Sequence, residues 1–275
     1  MRKSLRLAGM ATACTVAGAA LYAAGAAGAD QAPPRPTKEP HNIGLLVGEI
    51  DAYYGATKGA DGVWKASPDS PYAKDLARIQ AKAKKDIRKA AREAGHDHGQ
   101  DQGHGRGHGK KPAIVLDVDD TALLSLDYEK ATNFTYNSDS WDAYVKAAKR
   151  PAVFGMPELV AYAKSKGVEV FFLTGLAESQ REGAVTNLAK AGYATELDRA
   201  HVFTKDKTTP PAYLSHCATP AAWKCDTVQF KEGTRRHIES TGYNIVGSFG
   251  DQLSDLAGGY ADKTYKLPNP TYYVG

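Results

Sequence analysis

Residues 111–121 read KPAIVLDVDDT. Ala113 to Leu116 is a short continuous apolar run, the pattern of a strand buried on both faces, and Asp117, Asp119, Asp120 and Thr121 crowd the turn behind it. The same rhythm repeats downstream. Pro157 opens a helix that Gly167 closes, and Val168 to Leu173 is a second apolar strand. A helix from about Ala177 to Ala191 stops at Gly192, and Ala200 to Phe203 is a third short strand. A helix over Lys231 to Thr241 stops at Gly242 and leads into a fourth strand, Asn244 to Phe249. Strands alternating with helices of this length predict an α/β fold, a mostly parallel sheet with helices on both faces. In such sheets ligands bind beyond the carboxyl ends of the strands, so the residues after each strand carry the functional reading.

Upstream of this core the chain divides by composition. Arg2, Lys3 and Arg6 precede an apolar stretch from Leu7 to Ala24, and Ala27-Gly28-Ala29 is a small-x-small cleavage site. Residues 1–29 therefore read as a secretory signal peptide, with an uncleaved membrane anchor as the alternative. Residues 30–40 hold Pro33, Pro34, Pro36 and Pro40 and read as an extended linker. Residues 41–94 form a helical region. Ile43, Leu46, Val47, Ile50 and Tyr54 recur at roughly helical spacing, and Ser70-Pro71 caps a helix whose stripe is Leu76, Ile79, Ala83, Ile87 and Ala90. Residues 95–110 are rich in glycine and histidine, with His96, His98, His104 and His108, and read as a flexible loop open to loose metal binding. The core spans 111–275.

The chain has 275 residues, 42% of them hydrophobic, which excludes a mainly disordered polymer. Its 35 Lys and Arg against 31 Asp and Glu give +4; the first 29 residues contribute three of those bases and no acid, which leaves +1. A body so near neutrality argues against bulk electrostatic binding of nucleic acid. Cys217 and Cys225 follow the expected export signal, and in an oxidising compartment they read as a disulfide, with two free thiols as the alternative.

The strand-end residues converge on one chemistry. Asp117 and Asp119 follow the first strand, Thr174-Gly175 follows the second, Lys231 opens the last helix, and Asp251 and Asp255 follow the fourth strand. Several carboxylates bind magnesium through hard oxygens, and a hydroxyl and an ammonium bind the remaining phosphate oxygens. One carboxylate can attack phosphorus. Each residue alone has an ordinary reading, as a helix cap, a turn or a solvated lysine; their joint order is the specific signal.

IVLDVDDT, FFLTG, Lys231 and GDQLSDL resemble the four motifs of the haloacid dehalogenase-like (HAD) superfamily. DVDDTALLSLDY, Trp141, Lys231 with Arg235 four residues on, GYNIVGSFGDQLSDLAG and KLPNPTYYV resemble its subfamily IIIB acid phosphatases, a group that includes plant acid phosphatases and vegetative storage proteins. The resemblance implies a HAD-like Rossmannoid sheet with a small helical side element, Asp117 as nucleophile and Asp119 as general acid and base. It implies phosphate binding by Thr174, Gly175, Lys231 and Arg235, and a Mg2+ ion held by Asp117, the backbone carbonyl of Asp119 and Asp251, with Asp255 in support or in the outer shell. Relatives often carry a base after the Thr-Gly pair; this chain has Leu176, so either Arg181 or Arg235 takes its place or substrate affinity is lower.

Between the first two motifs, Tyr128, Phe134, Tyr136, Trp141 and Tyr144 surround a helix expected over Ser140 to Lys149, where Tyr128 or Trp141 could stack on a leaving group or belong to the core. The expected substrate is a small phosphomonoester, with nucleoside monophosphates and aryl phosphates leading. No nucleic-acid partner or stable membrane anchor is expected. The alternatives are a phosphotransferase and an exported binding or storage protein on an inactive fold.

Overall fold

The computed structural model describes residues 40–99 and 109–274. The expected signal peptide, residues 30–39 of the expected linker and residues 100–108 of the histidine-rich tract lie outside the described residues. The chain divides into a short unit, residues 1–46, and a main unit from Val47 onward. Asn42, in the short unit, precedes helix α1 (Ile43–Tyr54), of which residues 47–54 belong to the main unit; its Oδ1 accepts from the Gly44 N–H at 2.9 Å.

In the main unit, a two-stranded hairpin, β1 (Thr57–Lys58) and β2 (Trp64–Lys65), precedes the long helix α2 (Pro71–Gly99). Ser70 Oγ accepts from the Ala73 N–H at 3.2 Å, and Leu76, Ala83 and Ile87 form the buried stripe. This helix runs five residues past Ala94, into the segment expected to be a loop. Gly95 does not stop it, because propagating an established helix through one glycine costs only about 1 kcal/mol.

The core follows as β3 (Lys111–Leu116), α3 (Leu126–Ala131), α4 (Ser138–Ala147), α5 (Met156–Ser165), β4 (Glu169–Ala177), α6 (Arg181–Lys190) and β5 (Val202–Lys205). A short hairpin, β6 (Ala218–Thr219) and β7 (Ala222–Trp223), then leads to α7 (Thr227–Ser240), β8 (Tyr243–Gly250) and β9 (Thr264–Lys266). Five strands form one parallel sheet in the order β5-β4-β3-β8-β9. The fold is α/β, as the alternation predicts.

Period-2 alternation feeds both faces of this sheet. Ile114, Leu116, Val170 and Phe172 point into one apolar cluster with Leu76, Leu159 and Val160. Ala113, Val115, Phe171 and Leu173 point into another with Phe230, Ile238 and Leu214. Cys217 and Cys225 are disulfide-bonded across the base of the β6–β7 hairpin, at the edge of that second cluster.

Several boundaries differ from expectation. The helix expected from Lys231 begins at Thr227, because Asp226 and Gln229 form a capping box in which each side chain accepts from the other's backbone N–H. α4 begins at Ser138, where Asn137 Oδ1 accepts from the Asp139 and Ser140 N–H groups. β9 has no counterpart in the sequence reading. Among the described residues, no helix is long and apolar enough to cross a membrane.

Candidate active site

The strand order reverses direction between β3 and β8, and the carboxyl ends of β3, β4 and β8 meet there. Asp117 follows β3 directly and is buried. Its Oδ1 accepts from Lys231 Nζ at 2.5 Å, and the same ammonium donates to Asp255 Oδ1 at 2.6 Å. The cap at Asp226 places Lys231 in the second turn of α7, from where its side chain reaches back under the sheet end.

Asp119 faces a different environment. Thr174 Oγ1 donates to its Oδ2 at 3.2 Å, and Arg150 Nη1 donates to its Oδ1 at 2.5 Å. Two carboxylates two residues apart thus have separate partners, one beside a lysine among acids, the other beside an arginine and a hydroxyl.

Behind them the chain turns sharply. Asp120 holds φ of 51°, a left-handed conformation that aspartate tolerates better than most residues, and its carboxylate accepts from the Ser125 N–H at 2.9 Å and from the Ser125 hydroxyl. Burial, and then the Asp251 charge, push the Asp120 carboxyl up to about 7. Beyond β8, Asp251 accepts from Thr121 Oγ1 at 3.3 Å, Gln252 Nε2 at 2.6 Å and Asn269 Nδ2 at 2.7 Å. Asp255 folds back so closely that a side chain on Gly250 would begin 2.3 Å from its Cβ; only glycine permits this loop.

Asp117, Asp251 and Asp255 are all buried and offer oxygens within 4.8 Å of one another. Burial raises the Asp117 carboxyl well above the usual range; Lys231 opposes the rise, and Asp255, Asp251 and Asp119 add to it. Burial and Asp255 raise Asp251 in the same way. Burial works against the Lys231 charge, but Asp117 and Asp255 outweigh it and hold the ammonium above its usual range. One lysine therefore faces an excess of buried negative charge. An all-oxygen carboxylate group with uncompensated charge suits a hard divalent cation, and these three residues could hold one.

The base expected in place of Leu176 is at neither position 181 nor 235. Arg235 is fully buried and donates to the carbonyls of Asp255, Ala257 and Gly259. It fixes the loop that carries Asp255, so the structure does not bring it to the site as a phosphate ligand. Arg181 donates to Glu178, to the Val202 carbonyl and to Thr204 Oγ1. Leu176 packs with Val145 and Ala184. Gly175 is exposed beside Thr174. The cations the sequence reading missed near the centre are Arg150 and Lys205, neither of which lies in a recognisable motif. Asn269 lies within the quoted KLPNPTYYV segment but was given no role, although a residue between Pro268 and Pro270 has a restricted backbone, which is a local signal of a positioned side chain.

Tyr128 and Trp141 pack on each other, ring centroids 5.0 Å apart, and Tyr144 closes the triplet at 5.1 Å and 5.6 Å from them. Tyr128 is core, and the Arg150 guanidinium lies 5.6 Å from the Trp141 ring centre.

The family model for the HAD superfamily, subfamily IIIB (Acid phosphatase) matches residues 64–275. The stem 28 kDa glycoprotein of Glycine max is 36% identical over 172 residues, which covers 60% of this chain and 61% of that protein. Acid phosphatase 1 of Solanum lycopersicum is 30% identical over 164 residues, 58% of each chain. Vegetative storage protein 2 of Arabidopsis thaliana is 27% identical over 165 residues, 58% of this chain and 56% of that one. The match thus spans about three fifths of these relatives' length. Among solved structures, the class C acid phosphatase from Bacillus anthracis aligns with a TM-score of 0.47 and 23% identity, over 72% of this chain and 87% of its own. Because the family match runs unbroken through β3, β4, α7 and β8, and so through every segment that supplies the buried carboxylates and their lysine, this chain belongs to the HAD superfamily, subfamily IIIB.

Proposed function

We propose that this protein is an exported, magnesium-dependent acid phosphatase that hydrolyses small phosphomonoesters through an aspartyl-phosphate on Asp117. The observation that carries the reading is the division between Asp117, beside Lys231 and two further carboxylates, and Asp119, beside Thr174 and Arg150.

A nucleophile must be ionised, and Lys231 favours the Asp117 carboxylate. A Mg2+ held by Asp117, Asp251 and Asp255 with the Asp119 backbone carbonyl would neutralise phosphate charge. Asp117 forms a bond to phosphorus as the ester oxygen leaves, and Asp119 gives that oxygen a proton. Asp119 then takes a proton from the water that attacks phosphorus, and Asp117 is released. Arg150 and Thr174 orient the Asp119 side chain outside the Asp117, Asp251 and Asp255 group, which leaves it for proton transfer and not for metal binding. Thr174 and Lys231 bind the phosphoryl oxygens, with the Gly175 backbone beside them.

Export is supported by the basic, apolar and small-x-small order of residues 1–29 and by the Cys217–Cys225 disulfide. The test is p-nitrophenyl phosphate hydrolysis by residues 30–275 from pH 4 to 8, with magnesium or EDTA, beside Asp117→Asn. Turnover should require the metal and fall at least about a thousandfold in the variant. A folded protein without turnover in any condition would favour a storage or metal-binding role instead.

A further inference from the structure

Past the ends of β4 and β5 lies a cavity of about 380 Å3, walled by Glu178, Ser179, Arg199, Lys205, Lys207 and Thr209 among others. Its wall residue Lys205 approaches the candidate active site at Gly175. That glycine is exposed, and a side chain on it would begin 3.8 Å from Lys205 Nζ, so its absence leaves space in front of the ammonium.

The charges in the walls are unevenly satisfied. The Glu178 carboxylate accepts from Arg181 Nε at 2.8 Å, from Arg199 Nη1 at 2.6 Å and from the Thr204 hydroxyl. Asp206 Oδ1 accepts from the N–H groups of Thr208 at 3.0 Å and Thr209 at 2.8 Å. Lys205 and Lys207 have no hydrogen-bond or ion-pair partner among the described residues. Lys205 is half-buried, its ammonium 5.6 Å from the ring centre of Phe230, the residue before Lys231. Burial, Lys231 and Lys207 disfavour its charge, while Asp117 and Asp255 favour it, which places Lys205 within electrostatic reach of both the centre and the cavity. An anion in the cavity would relieve the like-charge contact between Lys205 and Lys207.

We propose that this cavity is the leaving-group subsite and selects small phosphomonoesters whose leaving group carries a second negative charge, a carboxylate or another phosphate. Lys205 serves both the transferred phosphoryl group and the leaving group, and Lys207 faces the second anion. The inference rests on the phosphatase reading of the site and adds its substrate class. It also supplies, from the end of β5, a cation beside Thr174-Gly175 where position 176 offers none.

A matched pair of substrates tests it. 3-Phosphoglycerate and glycerol 3-phosphate differ only in a carboxylate replacing a hydroxymethyl group. At low salt, kcat/KM should favour the carboxylate about five- to tenfold, the size of one half-exposed ion pair, and the preference should shrink as salt is raised. Lys207→Gln should lower that ratio to near one, and Lys207→Arg should keep it. Equal kcat/KM for the two substrates, or a preference that Lys207→Gln leaves intact, overturns the subsite while the phosphatase reading stands. If p-nitrophenyl phosphate is not hydrolysed either, the phosphatase reading falls and the subsite falls with it.

Discussion

Arg150 Nη1 lies 2.5 Å from Asp119 Oδ1, and the guanidinium that makes this contact is wholly buried, with Nε and Nη2 left without partners. A buried arginine with two unmet donors is costly, about 1–3 kcal/mol per group. In the proposed mechanism its contact holds Asp119 in one orientation. Arg150→Met should therefore lower kcat about 10- to 100-fold on alkyl phosphates and far less on p-nitrophenyl phosphate, whose leaving group needs little protonation. An equal loss on both substrates would assign Arg150 to general scaffolding.

Lys231 is the shared donor to Asp117 and Asp255. Lys231→Met removes the one cation between two buried carboxylates and should destabilise the metal-free protein by about 3–5 kcal/mol at neutral pH. The loss should be smaller near pH 4, because burial raises the Asp117 carboxyl well above its usual range and favours its protonated form there. Chemical denaturation at both pH values measures the difference.

The three-carboxylate group predicts a thermal signature independent of turnover. MgCl2 should raise the unfolding temperature, by about 2.7 kcal/mol of stabilisation once the ion is at a hundred times its dissociation constant. Asp251→Asn should abolish most of that shift, since Asp251 is one of the buried oxygen donors. An unchanged shift would remove Asp251 from the proposed ligand set.

Glu129 carries a pH prediction away from the metal group. Burial, and then the neighbouring Asp120, push it from the usual glutamate value up to about 7. A raised acid favours the protonated fold: its stabilising contribution is complete below about pH 4.5 and is lost as pH rises through 7. Glu129→Gln should therefore gain about 1–2 kcal/mol relative to the parent between pH 5 and pH 8, read from paired melts.

The Cys217–Cys225 bond closes a short loop, and reduction should lower stability by about 2.5 kcal/mol on the chain-entropy argument. Melts with and without dithiothreitol measure it. The hairpin borders the cluster holding Phe230, so reduction should also loosen the start of α7.

The α/β alternation and the strand-end acids were legible because each depends on local pattern. A strand buried on both faces must read as an apolar run, and Asp117, Thr174 and Asp251 sit where such runs stop. What was not legible depends on distant partners. Nothing near Arg150 distinguishes it from Lys149 beside it; only the fold brings it to Asp119. Arg235 has the opposite history, since its spacing from Lys231 suggested a shared task, but one helical turn onward from Lys231 it meets the carbonyls of residues 255–259 instead. β9 is three residues long and its pattern is too short to signal a strand. The aromatic residues between the first two motifs gave no indication of direction, and in the structure Tyr128 turns inward.

The sequence separations at the centre have a consequence for how the protein acquires it. Lys231 meets Asp117 across 114 residues, and Thr121 meets Asp251 across 130. No short segment contains enough of these groups to gather an ion by itself, unlike a finger or a calcium loop that metal can nucleate locally. Assembly of the centre should therefore be a late event, following closure of loops of 114 and 130 residues, whose entropy must be overcome first. Ion binding would then report completion of folding and would not guide it.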